Sequence, residues 1–183
     1  KETLRLHGVN SNVEIASHAN IPSGTGLGSS GSFGVGLLHA LYAHKKIEVI
    51  KKQLAEEATH IQMNIIGFPI GKNDQYAASF GGINVYMIDT QGEVIVAPLY
   101  IPNLERLKEH SVLFFTGYSR NANKILEVQK NKIEELKLMH QLSYAIKYAL
   151  TEGKFDVFGE LMNEHWKYKK KVSPEVTNPQ IDY

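Results

Sequence analysis

Four glycines, Gly24, Gly26, Gly28 and Gly31, are interleaved with Thr25, Ser29 and Ser30 and run into an apolar stretch. Glycine in a helix interior costs up to about 1 kcal/mol relative to alanine, so this clustering is not a stability device. What it permits is close approach of the backbone to a ligand. A helix beginning here also presents roughly four unpaired N–H groups and about half a positive charge, and both attract phosphate. The hydroxyls of Ser29 and Ser30 can donate to phosphate oxygens or ligate magnesium. The plain alternative is a flexible turn with Ser29 or Ser30 as the helix N-cap.

Three kinds of phosphate loop compete for this pattern. A Walker A loop needs Gly-Lys followed by Ser or Thr, and no lysine occurs between Asn20 and His44. A dinucleotide fingerprint G-x-G-x-x-G is matched at Gly26, Gly28 and Gly31. It requires a parallel strand after the helix and an acidic residue at that strand's end. The stretch from Glu48 to Ile65 reads instead as a helix, so that match is accidental.

The surrounding elements follow from periodicity. Leu4-Arg5-Leu6 and Val13-Glu14-Ile15-Ala16 alternate as strands do, and Phe33, Leu37, Leu38 and Leu41 recur at helical spacing. The loop is therefore expected between a strand and a helix. Ile47, Ile50, Leu54, Ala58, Ile61 and Ile65 line one face of a second helix, which Gly67 and Pro69 end. A short helix over Asp74–Ala78 follows, closed by Gly81 and Gly82. Residues 83–88 and 93–97 read as two strands around Asp89-Thr90-Gln91-Gly92, a hairpin. Val112-Leu113-Phe114-Phe115 has the composition of a buried strand. Helix is expected from about Ala122, with a break near Gly153 and a second helix from Phe155 to about Lys169. Strands first and helices last point to an α+β class.

The third candidate loop brings a resemblance. Pro22-Ser23-Gly24-Thr25-Gly26-Leu27-Gly28-Ser29-Ser30-Gly31-Ser32 closely resembles the central motif of the GHMP kinases. The resemblance implies that Pro22, Gly24, Gly26, Leu27, Gly28, Ser29, Ser30 and Gly31 wrap the phosphates of ATP, and that Ser30 helps bind Mg2+. It also implies a two-layer fold with a ribosomal protein S5 domain 2-like N-terminal part and a helix-rich α/β C-terminal part. Residues 1–98 would be the central and C-terminal portion of the ATP-binding domain, and 99–183 the beginning of the second domain. The family's N-terminal basic motif and its C-terminal glycine-rich motif do not occur here. The expectation is a chain incomplete at both ends, lacking the adenine pocket and one catalytic arm.

The same resemblance demands a catalytic aspartate after a P-x-G-type loop, and Pro69-Ile70-Gly71-Lys72-Asn73-Asp74-Gln75-Tyr76 supplies one, followed by Phe80-Gly81-Gly82. A carboxylate beside an acceptor hydroxyl can orient it and take its proton as the new bond forms. Asp74 is thus the expected catalytic residue; it is also a favoured N-cap type for the short helix. Lys72 either holds Asp74 ionised, touches a substrate anion, or is a solvated loop lysine. Gln75, Tyr76, Gly81 and Gly82 are further candidates for the substrate side. Where the family has a glutamate as magnesium ligand, the spacing puts Gln62. An amide oxygen can ligate magnesium without the negative charge, or Glu57 or another acid can compensate.

Within the family the resemblance is strongest to heptose 7-phosphate kinases of bacterial surface-sugar synthesis. It implies phosphorylation of the anomeric hydroxyl of D-glycero-D-manno-heptose 7-phosphate to the 1,7-bisphosphate, on the way to a GDP-activated heptose. A phosphorylated sugar needs a second anion site, for which Arg120 is a candidate because arginine pairs bidentately with phosphate, a surface ion pair being the plain alternative. Lys169, Lys170 and Lys171 are the other candidate, with a solvated helix end as the plainer reading. A galactose- or fucose-type kinase and a non-catalytic nucleotide or sugar sensor are the alternatives.

Composition sets outer bounds. The 183 residues carry a net charge of +1, so no global field favours nucleic acid. No apolar run approaches the roughly 18 residues of a membrane span. With no cysteine there is no disulfide framework or thiolate chemistry, which fits the cytoplasm. The eight histidines show no metal-ligand spacing. The expected partner is a small sugar phosphate, with neither nucleic acid nor membrane, and a homodimer is an open option.

Overall fold

A computed structural model describes residues 1–22, 24–118 and 132–182. Its first unit holds Lys1–Gly82 and Tyr118, its second Ile83–Gly117 with residues 132–182.

The first unit is built on two helices, α2 (Ser29–His44) and α3 (Lys51–His60). Val35, Leu38 and Tyr42 from α2 meet Leu54, Ala58 and Ile61 from α3 and its continuation. Leu38 is fully buried, a burial that stabilises by roughly 2 kcal/mol. Beyond His60 the helix widens into a π turn over Ile61–Ile65, and Gly67, at φ 81°, turns the chain out. A short helix, α4 (Asn73–Phe80), packs on both α2 and α3. Its C-terminal end is tied down by Lys51 Nζ donating to Phe80 O and Ser79 Oγ donating to Lys51 O, each at 2.9 Å.

Three expectations for this unit are corrected. Leu4–Leu6 is not a strand but part of α1 (Glu2–Leu6), whose backbone finds local acceptors, as in His7 N to Thr3 O at 3.2 Å. Val13–Ala16 adopts no regular element, and the whole segment is exposed. A strand needs a neighbour to complete its hydrogen bonds, and the ladder found among the described residues joins two others. The second helix starts at Lys51 rather than near Ile47. Lys46, at φ 57°, turns the chain there, leaving Ile47 and Ile50 exposed in the connection.

The second unit opens with the expected hairpin. Strands β1 (Asn84–Ile88) and β2 (Val94–Pro98) pair antiparallel with Tyr86 opposite Val96. Asp89 closes the turn, its carboxylate accepting from Gln91 N at 2.9 Å and Glu93 N at 2.8 Å. Asn103 caps α5 (Leu104–Glu109) by accepting from Arg106 N. Val112–Phe115 is corrected: its side chains are 74–80% exposed and no described segment pairs with it. Two long helices follow, α6 (Ile133–Thr151) and α7 (Phe155–Val172), packed together and joined through Gly153 at φ 65°. The expected helix between Ala122 and residue 131 lies outside the described residues. A turn at Pro174–Val176 and α8 (Pro179–Asp182) end the description.

Lys169, Lys170 and Lys171 occupy the last turn of α7, where cations complement the helix dipole. Lys170 reaches Asp182 at 3.1 Å, and Lys171 lies over the Tyr168 ring. Among the described residues no helix is long and apolar enough to cross a membrane.

Two outcomes follow from this packing. Leu38→Ala is expected to destabilise the first unit by about 2–5 kcal/mol in a denaturant titration, because α2 and α3 cannot close on the cavity. His165 is held below the usual histidine range by burial and by Lys169. The folded state then binds its proton less readily than the unfolded chain. Stability is retained above the unfolded value near about 6.5 and declines as pH falls below it. A His165→Gln variant is expected to show a flatter stability profile below about pH 6.5.

Candidate functional site

Helix α2 begins without a side-chain cap. Gly28, at φ 70° and ψ 21°, is its N-cap, in a left-handed conformation that a residue with Cβ resists. Ser29 and Ser30 therefore lie inside the first turn rather than capping it. Gly24 and Gly26 also sit at positive φ, 76° and 78°, and Thr25 Oγ1 donates to Pro22 O, so the loop curls tightly into the helix start. Leu27, Ser29 and Phe33 line one side of a cleft of about 540 Å³, with residues 15–21 on the other. That volume suits a small ligand.

Asp74 stands against this helix start. A Cβ placed on Gly28 would lie 3.4 Å from Asp74 Cγ and 3.6 Å from both carboxylate oxygens. One placed on Gly31 would lie 2.7 Å from Asp74 Cβ and 3.2 Å from Gln75 N. Asp74 is not the N-cap of α4, a position taken by Lys72 without a side-chain bond; it lies in the first turn. Its carboxylate thus sits near the N-termini of two helices, where negative charge is favoured.

Gln62 joins the same cluster from the π turn. Its Nε2 donates to Ser30 O at 2.9 Å, and the Gln75 side-chain amide meets Gln62 Oε1. Glu57, the acid considered as a substitute for Gln62, is engaged elsewhere. Its Oε1 is 2.6 Å from His7 Nε2, and its Oε2 accepts from Tyr42 OH at 2.6 Å. That hydrogen bond, together with burial, raises the Tyr42 phenol above its ordinary range.

The remaining candidates spread around α4. Gln75 and Tyr76 are its buried side, and the Tyr76 ring stacks on Phe80 with centroids 6.0 Å apart. Lys72 is half-buried one turn before, and Gly81 and Gly82 end the helix at positive φ. Arg120 lies outside the described residues. What the sequence reading missed is the bare face formed by Gly28, Gly31 and Gly34, where Cβ atoms would meet Asp74 and Gln62. The three-residue spacing of these glycines, which places them on one helix face, was the available signal.

No group of three or more His, Asp or Glu among the described residues could hold a metal ion alone. A cation here has to bring further ligands with it, as magnesium does when it arrives on nucleotide phosphates. The donors present, Ser30 Oγ, the Gln62 amide and the Asp74 carboxylate, fit such a role. Were a phosphate bound at the start of α2, a cation between it and the Asp74 carboxylate would offset two negative charges.

The family description "GHMP kinases N terminal domain" matches residues 1–82. A D-glycero-alpha-D-manno-heptose 7-phosphate kinase of Campylobacter jejuni subsp. jejuni serotype O:2 is 32% identical over 173 residues, covering 90% of this chain and 51% of that protein. A galactokinase of Pyrococcus furiosus is 36% identical over 120 residues, 63% of this chain and 32% of the relative. The crystal structure of a D-glycero-D-manno-heptose 1-phosphate kinase from Bacteriodes thetaiotaomicron superposes with a TM-score of 0.66 at 26% identity. It covers 84% of this chain and 47% of that one. The chain spans about half the length of the heptose kinases it matches. The shared α+β fold is that of these kinases.

The two kinds of glycine on α2 separate in a stability measurement. Gly31→Ala forces a contact with Asp74 and is expected to cost about 1–3 kcal/mol. Gly36→Ala meets nothing within 4 Å and is expected to gain roughly 0.5–1 kcal/mol from helix propensity.

Proposed function

We infer that this chain is a GHMP kinase, residues 1–82 matching that family's N-terminal domain, and that the protein transfers the γ-phosphoryl group of ATP to a sugar hydroxyl. The observation that carries this reading is the Asp74 carboxyl lying against Gly28, the residue from which α2 starts. Phosphate binding and proton acceptance then occur side by side, as in-line transfer requires.

The backbone N–H groups of the first turn of α2 bind the nucleotide phosphates, and Pro22 to Gly31 bring the chain close enough to do so. Asp74 orients the acceptor hydroxyl and takes its proton as the oxygen bonds to the γ-phosphorus. The bond to the bridging oxygen breaks, and ADP leaves with its electron pair. Ser30 Oγ and the Gln62 amide would hold a magnesium ion arriving with ATP, which would supply positive charge for the developing phosphoryl oxygens. Lys72 and the Gly81-Gly82 backbone, at the two ends of α4, are assigned to the sugar side in this reading.

For the substrate we propose a heptose phosphate, phosphorylated at its anomeric hydroxyl; the 7-phosphate form would yield the 1,7-bisphosphate. The Campylobacter relative, aligned over 90% of this chain, supports that choice. A galactose-type substrate is the second reading, favoured by the higher identity to the Pyrococcus galactokinase over a shorter stretch.

A coupled ADP assay of the full-length protein with heptose 7-phosphate, galactose and fucose tests both readings. Turnover is expected with the heptose phosphate, and turnover with galactose alone would replace it. Nucleotide binding without turnover on any sugar would make the protein a sensor. Asp74→Asn is expected to lower kcat by about 10²–10⁴-fold while ATP binding is retained. An active Asp74→Asn enzyme would remove Asp74 from the mechanism.

A further inference from the structure

Helix α3 opens with two lysines, Lys51 and Lys52, and its first turn holds no acidic residue. A cation at a helix N-terminus meets the positive end of the dipole, so this placement works against α3. Lys52 is offset one turn on by Glu56, at 3.5 Å. Lys51 instead reaches across to α4. Its Nζ donates to Phe80 O, and Ser79 Oγ donates back to Lys51 O, both at 2.9 Å. Residues that break a local rule in this way are expected where they serve a site elsewhere.

The pairing suits α4 better than α3. Phe80 is the last residue of α4, and its carbonyl is among those that a helix end leaves without an intrahelical partner. The ammonium there also faces the negative end of the α4 dipole. Both bonds are solvent-exposed, and exposed charged contacts add little to stability. What they can decide is where α4 lies. Asp74 is roughly 9 Å from Phe80 along the helix, at the 1.5 Å rise of an α-helix. The close contact at Gly31 stops α4 from moving toward α2, but a steric contact does not stop sliding or tilting. Burial of Tyr76 holds the helix down without fixing its direction, since apolar contact is non-directional. Hydrogen bonds are directional, and those at Lys51 hold the far end of a short rod whose near end carries the carboxylate.

We propose that Lys51 and Ser79 are positioning residues for Asp74. By clamping the C-terminal end of α4 to the first residue of α3, they keep the carboxylate beside Gly28 and the start of α2. The same bonds set the direction in which the chain leaves α4 through Gly81 and Gly82. Neither side chain touches the reacting atoms. The proposal rests on the kinase reading, in which Asp74 takes the proton of the acceptor hydroxyl.

The test uses the full-length protein in a coupled ADP assay with ATP and heptose 7-phosphate, or galactose where the parent prefers it, and follows melting temperature alongside. Lys51→Met is expected to lower kcat about 10-fold through misplacement of Asp74, with the KM for ATP within about threefold. Ser79→Ala removes the returning bond and is expected to lower kcat about three- to tenfold. Lys51→Arg keeps a donor and recovers most of the loss. Lys51→Glu separates placement from stability, because it puts an acid where the α3 dipole favours one. Its melting temperature is expected to hold or rise while kcat falls at least as far as in Lys51→Met. A kcat within about twofold of the parent in Lys51→Met overturns the positioning role. So does an equal loss in Lys51→Arg, or a loss that appears only together with a lower melting temperature. A parent without turnover on any sugar fails the kinase reading instead, and placement is then read from the ¹³C carboxyl resonance of Asp74, assigned with Asp74→Asn. That resonance is expected to shift in Lys51→Met and to stay in place in Lys51→Arg; if it does not move in Lys51→Met, the clamp is overturned.

Discussion

The site depends on how closely two backbones approach. The Asp74 segment of α4 lies so near the first turn of α2 that a single methyl group on Gly31 would stand 2.7 Å from Asp74 Cβ. Interiors this tight do not yield without moving a neighbour. Because Gly28 and Gly31 lack side chains, the carboxylate rests beside the helix start and its N–H groups. Two helix N-termini then share one region of space with an acidic group. The arrangement favours anions and, once a phosphate is added, calls for a cation between them.

The π turn solves a related problem. Ile61 is needed in the apolar core with Leu54 and Ala58, while Gln62 must reach the carbonyl of Ser30. The wider turn, seen in Ile66 N donating to Ile61 O at 2.9 Å and Phe68 N donating to Gln62 O at 2.9 Å, accommodates both. Such turns recur at functional sites because they redirect one side chain without ending a helix. Away from the site, charge serves anchoring. Glu57 holds His7 and Tyr42, which docks the segment after α1 on the α2–α3 pair and leaves that acid unavailable to a metal.

Local patterns were reliable where the partner is close in sequence. The hairpin at 84–98 formed as read, because Asp89 supplies its own turn and the two strands complete each other. The α6–α7 pair formed for the same reason, with Gly153 between its helices. Val112–Phe115 and Val13–Ala16 have strand composition but no strand, because β propensity does not provide a hydrogen-bonding neighbour. The glycine-serine loop was legible since glycine spacing is a backbone property. Its entry from a strand was not, because that depended on a distant partner.

By itself the sequence located the glycine-serine loop at the start of a helix, and it singled out the aspartate that follows a P-x-G loop. It also set the glycine spacing that makes close contact sterically allowed. Only the tertiary structure decided that Asp74 lies in the first turn of α4 rather than capping it. The same holds for Glu57, which is committed to His7 and Tyr42, and for Gln62, whose amide is bonded to Ser30 O and Gln75. Spacing along a chain says which face a side chain occupies. Which acceptor that face meets depends on how α2, α3 and α4 pack, and packing is a property of all three together.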